Sequence, residues 1–181
     1  EDGAVYVWGH NLNKQIMPTN TDNVMSRPQK VPGIDNAVEL YMSEDNISIL
    51  TRDGQIWSLG NRSAGLIGQG EGDNASGMAS YVQPMFNSDA TDYLAGAVDA
   101  GVGASQSIIM TMEYDPQLMD PSNPGGTIEG LSQHIYMLGL TGEKTKLPTG
   151  DPDMDAAISG KSRVSLPVEY NGFDKQEYVR L

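Results

Sequence analysis

Ala37 to Thr51 reads AVELYMSEDNISILT, and Ala97 to Thr111 reads AVDAGVGASQSIIMT. The two align without a gap at an offset of sixty residues. Ala37-Val38 falls on Ala97-Val98, acidic Glu39 on Asp99, and Ile49-Leu50-Thr51 on Ile109-Met110-Thr111. Each copy is a short apolar run, a polar turn (Ser43 to Asn46 over Gly103 to Gln106) and a second apolar run. That order is the pattern of a β-hairpin. A hairpin recurring at this distance marks a repeat protein, because one such unit cannot bury its apolar surface alone.

Working outward, a second unit occurs three times: GAVYVWG from Gly3 to Gly9, GQIWSLG from Gly54 to Gly60, and HIYMLG from His134 to Gly139. With the last glycines aligned, Val5, Ile56 and Ile135 share a column. Tyr6, Trp57 and Tyr136 share the next, and Trp8, Leu59 and Leu138 the last before glycine. Adjacent columns point to opposite faces of a strand, so apolar residues in both imply a strand buried on two sides. The closing glycine suits a backbone that needs positive φ or a close approach. Asp2-Gly3 and Asp53-Gly54 open two of the copies, and Asp-Gly between apolar strands predicts a tight turn. A polar loop follows each unit, and then proline with an apolar neighbour: Pro28 with Val31, Val82 with Pro84, and Pro167 with Val168. The interval from Gly60 to Gly139 exceeds that from Gly9 to Gly60, and the excess includes an insert, 114–133.

This pattern resembles the repeat of the regulator-of-chromosome-condensation (RCC1-like) family: Asp-Gly, an apolar and aromatic strand ending in Gly, Asn, a loop, Pro and Val, then a hairpin ending in an apolar residue and Thr. Asp2 to Asn11 and Asp53 to Asn61 match best. The family's Gly-Gln-Leu-Gly stretch survives in part, as Asn13 to Ile16 and Ala64 to Gly68. Met42-Ser43-Glu44 replaces the usual glycines and His-Ser, and the third copy lacks Asp-Gly. The resemblance implies an all-β fold, a β-propeller-like array of about three RCC1-type blades of four antiparallel strands. The expected units are 2–52, 53–113 and 134–181. Because family members usually have about seven blades, the array is expected to be incomplete: a fragment of a longer chain, a subunit whose edges a partner covers, or a ring of several copies. Helix is expected to be scarce, with 151–159 a short candidate read as a decorated loop.

Composition bounds the function. The formal net charge is −13, and an anionic surface repels phosphate backbones, which argues against a nucleic-acid partner. Solubility is the ordinary meaning of such a charge. Gly 21 and Pro 10 in 181 residues exceed the usual share and call for many turns. No cysteine is present, so disulfides, thiol catalysis and thiolate zinc sites are excluded together. No apolar run is long enough for a membrane-spanning helix. The chain starts at Glu1, without initiator Met or a leader-like stretch, as a processed protein or an internal fragment would. The composition fits an extracellular or surface-exposed protein, adhesive ones included, and it also fits a cytoplasmic one.

No GxSxG elbow, HExxH, Walker loop or strand-to-helix GxGxxG occurs. Gly101-Val102-Gly103 belongs to the repeat hairpin. His10 and His134, the only histidines, sit at unit ends and are read as structural, so a non-enzymatic protein is expected. Asp151, Asp153 and Asp155 have the alternate spacing that can aim carboxylates at calcium. Ala156 and Ser162 then stand where an EF-hand loop has Gly and Glu, so a solvated acidic loop is the ordinary reading. Glu71 and Asp73, in the Gly-rich loop Gly68 to Asn74, are candidates for ligand contact. The insert carries Pro116, Pro121 and Pro124, with Tyr114, Leu118 and Met119 as its sizeable apolar side chains. Long loops on a rigid scaffold are where recognition concentrates, so Tyr114, Leu118 and Met119 are the preferred partner contacts. The leading expectation is a binding module for another protein or a cell-surface ligand, with no cofactor unless calcium. A structural subunit docked in a large assembly is the second. Guanine-nucleotide exchange, implied only by the family resemblance, is the third.

Overall fold

The computed structural model describes residues 2–11, 17, 20–44, 46–62, 65–70, 83–114, 131–140 and 163–170. These form ten strands and, among the described residues, no helix. A two-stranded sheet comes first, made of β1 (Tyr6–His10) and β2 (Val24–Lys30). A four-stranded sheet follows, in the order β3 (Ala37–Met42), β4 (Asn46–Thr51), β5 (Ile56–Gly60), β6 (Gln83–Pro84). The second four-stranded sheet runs β7 (Ala97–Val102), β8 (Gln106–Tyr114), β9 (Leu131–Leu140), β10 (Arg163–Glu169). All neighbours are antiparallel.

The two hairpins are equivalent pair by pair. Leu40 lies opposite Ile49 as Ala100 lies opposite Ile109. The ladder shifts register between Ala37 and Glu39, and at the same place between Ala97 and Asp99. Both turns close with one bond, Ser43 N–H to the Asn46 carbonyl (2.9 Å) and Gly103 N–H to the Gln106 carbonyl (2.8 Å). The three glycine-terminated strands also coincide: Gly9, Gly60 and Gly139 all have positive φ, at 111°, 134° and 119°.

Each four-stranded sheet takes its first two strands from one sequence unit and its last two from the next. The Asp-Gly turn fastens this overlap. Ala37 N–H donates to the Gly3 carbonyl, and Ala97 N–H to the Gly54 carbonyl, both at 2.9 Å. A Cβ on Gly3 would lie 2.8 Å from the Ala37 nitrogen, so a larger residue would push the next sheet away. The proline-bearing strand is anchored differently from the sequence pattern. Val31, Met85 and Tyr170 occupy one position, each donating its N–H to the carbonyl of Val5, Ile56 or Ile135. Pro84 precedes that anchor by one residue and Pro28 and Pro167 precede theirs by three, so the prolines do not share a column.

The core lies between sheets. Val5, Val7, Val31, Ile34, Ile47 and Ile49 fill the first interface, with Trp57 against them. Leu50, Ile56, Met85, Leu94, Ala97, Ile109 and Leu138 fill the second, with Tyr41, Ala100 and Tyr136. Strand β4 is buried along its whole length, Ile47 and Ile49 serving one interface and Leu50 the other. Each such side chain contributes about 1.5–3 kcal/mol by leaving water.

A Cβ at Gly139 would overlap the Ser105 carbonyl oxygen and lie 2.7 Å from the Gln106 Cα. Gly139→Ala is therefore expected to destabilise the fold by at least ~1–3 kcal/mol. Gly101→Ala, with nothing within 4 Å of the added atom, should stay within ~0.5 kcal/mol. Urea unfolding of both variants checks the pair.

Candidate functional site

The hairpin β4–β5 closes at once: Thr51 N–H donates to the Gln55 carbonyl at 3.0 Å, around Asp53-Gly54. In its sister β8–β9 the ladder continues past the equivalent pair, Thr111 with His134. It adds Met112 with Gln133, Glu113 with Ser132, and Tyr114 with Leu131. The third copy lacks Asp-Gly, so nothing in its sequence commands a turn there. Tyr114 and residues 131–133, counted with the insert on sequence grounds, thus belong to strands, and the span between them is 115–130. Tyr114 stands at the end of β8, mostly exposed. It is the one predicted contact residue the structure describes. Leu118, Met119, Glu71, Asp73, Asp151, Asp153 and Asp155 lie outside the described residues. Among the described residues no three His, Asp or Glu side chains converge as metal ligands.

At the base of this extended hairpin is a cluster that spacing does not reveal. His134 Nδ1 lies 2.6 Å from Glu169 Oε1, and His134 Nε2 lies 3.0 Å from Ser132 Oγ. Ser132 and His134 are two apart on β9 and share a face. Glu169 comes from β10, where it pairs with Tyr136. The order serine, histidine, carboxylate is that of a nucleophile, base and orienting acid. As placed, the three groups link neighbouring strands. Ser132 Oγ also donates to the Glu113 carbonyl of β8 (3.5 Å). The cluster thus ties β8, β9 and β10 together. The sequence places His134 at a unit end. Its partners Ser132 and Glu169 went unforeseen, because only the i, i+2 step from Ser132 to His134 is local. His10, at the end of β1, lies opposite Val24 and is exposed.

Two further features shape the surface. Asn11, which follows the first glycine-terminated strand, is buried and donates through Nδ2 to the carbonyls of Met17, Asn20 and Asp22. Its Oδ1 accepts from Met17 N–H at 3.1 Å, so one amide folds the loop back. Leu66 and Ile67, in the partly kept Gly-Gln-Leu-Gly stretch, are buried. Between the two first strands, Tyr41 Oη donates to Asp99 Oδ1 at 2.9 Å.

No family model matches the chain, and no curated protein sequence does. Solved structures do match. Yeast RCC1 (Prp20), in its crystal structure bound to Kap60, superposes with a TM-score of 0.60 over 96% of this chain and 34% of its own, at 17% identity. The chain has the RCC1-type β-propeller fold. Human WBSCR16 matches with a TM-score of 0.57 over 94% of the chain and 34% of its own length, at 14% identity. Prp20p from Saccharomyces cerevisiae, described with its binding to Gsp1p and histones, matches at 0.60 over 96% and 36%, at 18% identity. The chain therefore spans about a third of the length of these RCC1-type structures. The four-stranded sheets are propeller blades, and the all-β partial propeller expected from the repeats is the fold observed.

Burial first, and then the hydrogen bond to Asp99, hold the Tyr41 phenol well above its ordinary value near 10.0. The unfolded chain would ionise this phenol first. The stability it confers is thus complete below about pH 10 and is lost as pH rises above that. The urea midpoint is expected to fall as pH rises above about 10, and less steeply in Tyr41→Phe. A residual slope is expected from Tyr136, whose phenol burial also raises, with Glu169 and Glu113 adding to the effect.

Proposed function

We infer that this chain is a non-enzymatic binding module, a propeller segment that presents loops to another protein. The observation that carries the reading is the β8–β9 hairpin. Its ladder runs three pairs beyond the point where the sister hairpin turns, and it carries 115–130 on a support clamped by Ser132, His134 and Glu169. A rigid strand pair lowers the entropy cost of ordering the residues it presents. Tyr114, exposed at its end, is the kind of aromatic side chain on which interface energy concentrates. Cell-surface ligand recognition is a narrower form of the same reading. Calcium at Asp151, Asp153 and Asp155 remains a minor proposal on spacing alone.

A photo-crosslinking amino acid in place of Tyr114 tests the inference in an extract of the source cells. A discrete protein adduct is expected from position 114 and none from Val38, an exposed control on β3. Replacing 115–130 by an Asp-Gly turn should remove the partner without lowering the unfolding temperature. Equal labelling from both positions, or retention of the partner by the shortened hairpin, would overturn the reading.

The second reading, a structural domain docked within a larger assembly, draws on the apolar residues exposed on the first and last sheets. Nucleotide exchange rests on likeness to RCC1 alone, and the −13 charge opposes chromatin attachment. The chain is expected to leave release of labelled GDP from a small GTPase unchanged, and a catalysed release would replace the binding-module reading with exchange.

A further inference from the structure

The second inter-sheet interface has a polar end. Leu50 of β4, Ile56 of β5 and Ile109 of β8 belong to its apolar core. Side chains two or four apart on a strand share a face, so Asn46, Ser48, Ser58 and Ser107 point into the same interface. Ser48 and Ser58 satisfy each other, Oγ to Oγ at 2.8 Å. Asn46 and Ser107 differ. They are 3% and 1% exposed, yet Asn46 Oδ1 and Ser107 Oγ meet no hydrogen-bond partner among the described residues.

The two atoms come from opposite walls of the interface at one height. In the sixty-residue repeat Asn46 corresponds to Gln106, the neighbour of Ser107, and β4 and β8 begin at Asn46 and Gln106. Leu66 closes the same end. A Cβ on Gly139, which lies opposite Gln106, would be 3.0 Å from Leu66 Cδ2, and Leu66 is itself buried. Stacking does not demand a hydroxyl here, because the counterpart of Ser107 in the first hairpin is Ile47, buried in the first interface.

The chemistry of the unmet groups selects the occupant. An amide oxygen only accepts, and a hydroxyl both donates and accepts. A metal ion is poorly served, since among the described residues no three His, Asp or Glu side chains converge, and a cation buried against neutral oxygens alone is costly. Water donates and accepts, and internal waters typically make about three hydrogen bonds to buried polar groups. We propose that this end of the interface is an internal water site, in which ordered water donates to Asn46 Oδ1 and bonds the Ser107 hydroxyl. The second and third sheets are then joined there through solvent. The site is independent of the hairpin that carries the binding-module reading.

A high-resolution crystal structure of the full chain tests it, with oxygen-17 relaxation dispersion counting long-lived internal water in solution. In the wild type, water density is expected within about 2.6–3.2 Å of both Asn46 Oδ1 and Ser107 Oγ. Ser107→Ile, which copies Ile47 of the first hairpin, should remove that density from beside position 107. It should also lower the dispersion amplitude by about one water molecule, with an unchanged far-ultraviolet spectrum. A wild-type interface that is dry at both atoms, or side chains turned to pair with protein groups, would overturn the proposal. So would the short, multiple oxygen contacts of a metal ion, or an amplitude unchanged in Ser107→Ile. Should Ser107→Ile fail to fold, Ser107→Val takes its place, with the same outcomes decisive.

Discussion

Ile47 and Ile49 leave β4 toward the sheet before it, and Leu50 leaves toward the sheet after it. A strand built this way has no side to turn to water, so its sheet reaches full burial only when both neighbours are stacked on it. Stability then resembles a sum of sheet and interface terms along a line, as in other repeat folds. The rest of the structure serves that stacking. The Asp-Gly turns bring Gly3 and Gly54 within hydrogen-bonding distance of the next sheet's first strand. The glycines that end β1, β5 and β9 adopt positive φ, and at Gly139 the bare backbone passes against Ser105 and Gln106.

What the sequence made legible follows from the same constraint. Residues facing two interfaces must be apolar in consecutive columns, and turns of positive φ must be glycine. Both demands are strict enough to survive as letter-by-letter similarity at an offset of sixty residues. The proline column was less reliable, because the conserved contact is the N–H of Val31, Met85 or Tyr170. A backbone donor imposes little on side-chain identity, so valine, methionine and tyrosine all serve. The offset between sequence units and sheets was equally hidden, since a hairpin reads the same whichever sheet it joins.

The candidate-site residues were harder to find for a physical reason. Tyr114 was visible as an aromatic beside a long insertion, but its place on a lengthened strand depends on pairing with Leu131, which no local pattern announces. The clamp of Ser132, His134 and Glu169 joins three strands. Its closest members in sequence are a serine and a histidine two residues apart, a pairing far too common to carry weight. Surface loops evolve under partner chemistry and not under the stacking constraint, so the regularities that expose the fold fall silent at the hairpin.

The staggered assembly of sheets from successive units also bears on how such a chain can change in length. Each of the first two units finishes with the first two strands of a sheet, and its successor opens with the last two. Copying one unit in tandem gives each hairpin the strand pair it lacks, so the array grows by one whole sheet and no interior sheet is left half built. Loss of a unit works the same way in reverse. An excision that followed the borders of a sheet would preserve that economy as well, but one that split a unit between its strand pairs at one end only would strand a hairpin without its mates. Gain and loss in whole units is thus the inexpensive path of variation for this architecture, and lengthening a single hairpin, as at β8–β9, is the way to diversify without altering the count.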